Sequence, residues 1–128
     1  MRVQGQRGRR RLSLADFQKV LKELKSEFGA ISSAILGRDG MIMAGDIPDG
    51  VTTDTLTIMC ATMMGAAVTA HSELRIGQPK LIRITSENHE MFITSASSRA
   101  ILVTAVPKGT NLEALQQMLL KVPDMLSE

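Results

Sequence analysis

The stretch Thr55–Ser72, TLTIMCATMMGAAVTAHS, is the longest run of the chain without a charged side chain, and its reading decides the fold. It is only marginal in length for a membrane span. Thr55, Thr57, Thr62, Thr69, His71 and Ser72 within it point instead to a buried helix of a soluble domain. Plotted at 100° per residue, Leu56, Met59, Cys60, Met63, Ala67, Ala70 and Leu74 fall on one arc, an ordinary face to lay on a sheet. On the opposite side Thr55, Ile58, Thr62, Gly65, Thr69 and Ser72 recur every three or four residues. This is a 3.5-residue seam of small or β-branched side chains, uncharged until Glu73. A merely solvated helix face carries Lys and Glu. The seam therefore reads as a contact surface for another helix, and cover by the chain's own elements is the competing reading.

Upstream, Thr52 or Thr53 can cap this helix, and Asp54 favours its N-terminus through the helix dipole. Ala30–Leu36 and Met41–Gly45 flank Gly37-Arg38-Asp39-Gly40, whose Asp and Gly tolerate the positive φ of a tight hairpin. Before them, Leu14, Phe17, Val20, Leu21, Leu24 and Phe28 repeat at helical spacing. Ser13 with Asp16 approximates a capping box, and Gly29 is the stop. Downstream of Leu74, Gly77 and Pro79 break the helix. Leu81–Thr85, Glu90–Ala96 and Arg99–Val106 then read as strands, and Asn111 caps a last helix whose Leu112, Leu115, Met118, Leu119 and Val122 share a face. The order is helix-strand-strand-helix-strand-strand-strand-helix, an α+β chain with a five-stranded, mostly antiparallel sheet. The strands are apolar on both alternations, as in Leu81, Ile82 and Ile84 or Met91, Phe92 and Ile93. Both sheet faces must be covered, which gives three layers.

A chain of 128 residues, 44% of them hydrophobic, supports one domain, here residues 12–128. Residues 1–11 hold Arg2, Arg7, Arg9, Arg10 and Arg11 with no acid and read as a flexible basic arm. The formal charge of +2 and the pI near 9.0 thus hide an acidic body. That body is poorly suited to gripping phosphates through a long-range field, although the arm could give weak affinity for an anionic partner. No apolar segment follows the arginines, so a secretory signal is not expected. The lone Cys60 excludes an internal disulfide framework, and the expected location is the cytoplasm. Three Phe, no Tyr and no Trp leave no stacking platform for single-stranded nucleic acid.

The chain is poor in catalytic chemistry. His71 lies about three helical turns from Cys60, too far to activate it. His89 is the only other histidine. Asp46 and Asp49 read as turn and cap residues, and no metal or cofactor motif is present. Arg99, in a turn, could act as an arginine finger, with a solvated turn arginine as the default. No enzyme activity, metal or cofactor is expected.

The helix order, the Gly37–Gly40 hairpin, the long uncharged helix and the ending Arg99–Val106 followed by Asn111-Leu112-Glu113 resemble the roadblock / dynein light chain family, in its prokaryotic single-domain form. The resemblance covers about residues 13–126 and implies a profilin-like three-layer fold. It also implies a homodimer in which third strands pair across a two-fold axis and second helices lie side by side. Carried over, the dimer interface comprises Leu81, Ile82, Arg83, Ile84 and Thr85 with Gly65, Thr62 and Thr69. Thr55, Ile58, Thr62 and Ser72 face the partner. The implied role is a non-enzymatic regulator or scaffold for a Ras-like small GTPase. Two alternatives stand beside it: a PAS-like ligand sensor whose core methionines Met59, Met63 and Met91 yield around a small molecule, and a scaffold tethered to nucleic acid or membrane by the arm.

Overall fold

The computed structural model describes residues 14–126, so Ser13 and the Arg2–Arg11 arm lie outside the described residues. Eight elements follow in order: α1 (Leu14–Phe28), β1 (Ser32–Gly37), β2 (Ile42–Asp46), α2 (Thr53–Leu74), β3 (Leu81–Thr85), β4 (His89–Ser95), β5 (Ala100–Pro107) and α3 (Leu112–Met125). The sheet has the order β2-β1-β5-β4-β3 and every pairing is antiparallel. β2 and β3 are therefore its two edges.

The C-terminal end of α1 and the N-terminal end of α3 each have a local cause. At Gly29, φ is +66°, and its amide donates back to the carbonyl of Lys25 while that of Ala30 reaches Leu24, a left-handed glycine stop of the αL type. The Asn111 side chain accepts from the Ala114 amide at 3.1 Å. At α2 the structure differs from the expectation: the cap is Thr52, and its side chain makes no capping hydrogen bond.

The three layers are present. Phe17, Val20, Leu21 and Leu24 of α1 and Leu115, Leu119 and Val122 of α3 pack on one sheet face against Ile35, Phe92, Leu102 and Val106. On the other face, Cys60, Ala61 and Met64 of α2 pack against Ala34, Leu36, Ile93, Ile101 and Val103. Within the first layer a polar pair is buried, Ser33 Oγ and Thr104 Oγ1 at 2.8 Å, each satisfying the other in a place where an unpaired hydroxyl would be costly.

The rotation of α2 corrects the sequence reading. Its buried residues are Thr57, Cys60, Ala61 and Met64, with Leu56, Met63 and Val68 packed at the margins. Met59 is 51% exposed, and Leu74 and Ala70 also face outward. The sheet-facing stripe thus combines the small Thr57, Cys60 and Ala61 with the single long side chain of Met64, and Met59 and Leu74 lie outside it.

Candidate interaction surfaces

Two features of the outer surface have the chemistry of a contact. The first is the outward side of α2. Thr55, Ile58, Thr62, Gly65, Thr69 and Ser72 are all exposed, and Ile58 is open at 47%. Among the described residues nothing buries the seam. Thr62 Oγ1 donates to the Ile58 carbonyl four residues back, which hides one polar group of the strip. A Cβ built at Gly65 meets nothing within 4 Å, so the glycine is not needed by the monomer. The hairpin fixes where this helix lies: at Gly40, with φ +90°, a Cβ would stand 3.1 Å from Ile58 Cα.

The second feature is the β3 edge. β3 pairs with β4 from Leu81↔Thr94 to Thr85↔Glu90, and Ser86 N donates to His89 O across the turn. Because hydrogen-bonded and non-bonded pairs alternate in an antiparallel ladder, Ile82 and Ile84 bond to β4. The N–H and C=O groups of Leu81, Arg83 and Thr85 then point outward. Ile82 packs on the α2 side and Leu81 on the α1 and α3 side. Ile84 is 37% exposed.

Glu90, which the sequence reading did not single out, anchors this edge. Its Oε1 accepts from Arg83 Nε at 2.6 Å and from Thr85 Oγ1 at 2.8 Å, and the Arg83 and Glu90 side chains are 45% and 6% exposed. The signal was in the hairpin. A two-residue turn at Glu87-Asn88 places Glu90 opposite Thr85 and hence diagonal to Arg83, within reach of a long side chain. The hydrogen bonds from Arg83 and then Thr85 hold the Glu90 carboxyl below its ordinary value of 4.5; burial opposes them, and the charges of Arg83 and Lys108 assist. A carboxylate with a lowered folded value adds stability at neutral pH that drains away as pH falls through that value. The melting temperature of the wild type is thus expected to fall further below about pH 4 than that of Glu90→Gln, followed by circular dichroism.

Elsewhere the candidates of the sequence separate. Cys60 is fully buried and burial pushes its thiol up, the reverse of a nucleophile's environment. His71 Nδ1 lies 2.9 Å from the Ala67 carbonyl of its own helix. Asp46 pairs with Lys25 at 3.4 Å. Arg99 is exposed, and its amide bonds Ser97 Oγ. Its neighbour Arg38 clamps the two turns together through Ser95 Oγ and the carbonyls of Ser97 and Ser98. Met59 does not belong to a yielding core, as the sensor reading required. Two open grooves of about 300 and 400 Å³ share Gln78 and Pro79, and none of the three methionines lines either. Among the described residues no group of three His, Cys, Asp or Glu could hold a metal, and no helix is long and apolar enough to cross a membrane.

A five-stranded antiparallel sheet between one helix and two defines the profilin-like class. Profilin II of Acanthamoeba castellanii superposes with a TM-score of 0.54 at 18% identity, over 82% of this chain and 94% of its own. The MglB protein of Myxococcus xanthus superposes with a TM-score of 0.83 at 15% identity, over 92% and 90%. Within that class the chain belongs to the Roadblock/LC7 domain family, whose model matches residues 16–105. An uncharacterized protein of Methanocaldococcus jannaschii is 25% identical over 108 residues, 84% of this chain and 94% of the relative.

Proposed function

We propose that the chain is a non-catalytic homodimer that regulates or scaffolds a Ras-like small GTPase in the cytoplasm. The observation that carries this reading is the exposed, uncharged seam of α2, from Thr55 to Ser72, on a helix that presents no charged outward side over that length. The GTPase partner is drawn from the family resemblance, and the likeness to MglB supports it. In this reading β3 pairs with β3 of a second copy through the outward groups of Leu81, Arg83 and Thr85. Gly65, Thr62 and Thr69 bring the two α2 helices together, and Thr55, Ile58, Thr62 and Ser72 meet the GTPase. The Arg2–Arg11 arm adds salt-sensitive affinity for an anionic surface.

Light scattering with refractive-index detection tests the dimer, since a chain without Trp or Tyr scarcely absorbs at 280 nm. The wild type is expected at twice its 13.9 kDa chain mass. Gly65→Leu and Thr62→Arg, at positions exposed in the single chain, are each expected to weaken the dimer and the capture of a nucleotide-loaded Ras-like GTPase at least about ten-fold, equivalent to 1.4 kcal/mol. Unchanged mass and capture in both variants would remove the seam from the interface. Arg83→Glu is a poor probe of the edge, because it would set a second carboxylate against Glu90 and break β3 from β4 within one chain.

A further inference from the structure

The edge strand carries a like-charge problem that Glu90 solves. Three residues of β3, Leu81, Arg83 and Thr85, direct their backbone groups outward, and they are evenly spaced about Arg83. An antiparallel two-fold pairing that uses all three on both copies must set Arg83 opposite Arg83 of the second copy, with Leu81 opposite Thr85 on either side. Centring on Ile82 or Ile84 leaves one outward residue of each strand unpaired. In the favoured register the two Arg83 residues form a hydrogen-bonded pair, their Cα atoms about 5.5 Å apart and their side chains on one sheet face. That face is the α1 and α3 side, because Arg83 stands opposite Phe92, which packs there. Like charges directly opposite each other destabilise a sheet.

We propose that Glu90, Arg83 and their counterparts in a second copy form a four-member charge row across the two-fold axis, in which each Glu90 neutralises its own Arg83 and so licenses self-association through β3. The Arg83 Nε to Glu90 Oε1 contact of 2.6 Å is the inner half of that row, already built in the single chain. Thr85 Oγ1 donates to the same carboxylate oxygen and holds it in place. Glu90 is accordingly a positioning and specificity residue: a copy whose Arg83 lacks its carboxylate is a poor partner even with an intact edge.

This inference rests on the homodimer reading, and one set of measurements separates the two. Dimer dissociation constants are compared by dilution light scattering for the wild type, Glu90→Gln, Arg83→Gln and the double variant, at low and high salt, with far-UV circular dichroism as the folding check. The row predicts a dissociation constant about ten-fold higher for Glu90→Gln at low salt. High salt should recover most of that loss, and the double variant, with neither charge, should recover it at any salt. If Glu90→Gln does not fold, Glu90→Asp, which keeps the charge and withdraws it from Arg83, is expected several-fold weaker and salt-recoverable. A wild-type dimer with Glu90 variants of unchanged affinity overturns the row and leaves the dimer standing. A loss that neither salt nor the double variant restores assigns Glu90 a structural role only and also overturns the row. A wild-type monomer overturns both.

Discussion

Phe92→Ala is expected to remove about 3–5 kcal/mol of folding stability, the largest effect of any substitution considered. The ring is wholly buried in the cluster shared by α1, α3 and the sheet. It stands in register with Arg83 on β3 and Thr104 on β5. A domain of this size has about 5–15 kcal/mol in total, so the variant loses a fifth or more of its margin. Urea unfolding followed by circular dichroism at 222 nm measures it directly. A loss below about 1 kcal/mol would mean that α1 and α3 close over the void and that the layer is far softer than its burial implies. Since β4 is the one strand that β3 pairs with in the sheet, the proposed self-association through β3 should also weaken in the folded fraction of this variant.

The second large effect is expected at Gly40, and it tests how the candidate surface is positioned. Gly40 has φ +90° and its position would bring a Cβ to 3.1 Å from both Cα and Cγ1 of Ile58. Gly40→Ala therefore meets two penalties: a backbone conformation that L residues rarely adopt, about 1–3 kcal/mol, and a contact that the α2 backbone must yield to by a few tenths of an ångström. Gly65→Ala, on the same helix but with open space around it, is the control and should be nearly neutral in a monomer, or slightly stabilising, since alanine favours the helix by about 1 kcal/mol. Melting temperatures of the pair separate a surface that rests on the hairpin from one set by α2 alone. Equal melting temperatures would refute the dependence on the hairpin.

Much of the architecture was legible because turns and caps announce themselves chemically. Gly29, the Gly37–Gly40 turn, Gly77 with Pro79, and Asn111 mark four boundaries, and β3 runs over the residues expected of it, Leu81–Thr85. The facing of α2 was legible only in part, for a physical reason. Periodicity orients a helix by contrast between an apolar and a charged side, and from Thr55 to Ser72 there is no charge to supply it. Met59 and Leu74 read as core by hydrophobicity, while the residues that face the sheet are Thr57, Cys60, Ala61 and Met64. The Glu90 anchor was hidden differently: in sequence it is merely a strand's first residues, and only the diagonal across β3 and β4 gives it Arg83. The contact of Gly40 with Ile58 is likewise a meeting of distant segments. No local pattern encodes it.

The hydrogen bond between Ser33 and Thr104 joins residues 71 apart in the chain, and this separation sets an order on folding. β3, β4 and β5 form a meander that short turns can close early, whereas β1 must dock on β5 after a loop containing α2 has been drawn in. Closing some seventy residues costs about 4 kcal/mol beyond a constant, and such non-local pairings slow folding. Until β1 arrives, β5 is itself an unprotected edge, rich in Ile101, Leu102 and Val103. The most aggregation-prone moment in the life of this protein is thus expected late in folding, on a strand that the finished molecule hides at the centre of its sheet.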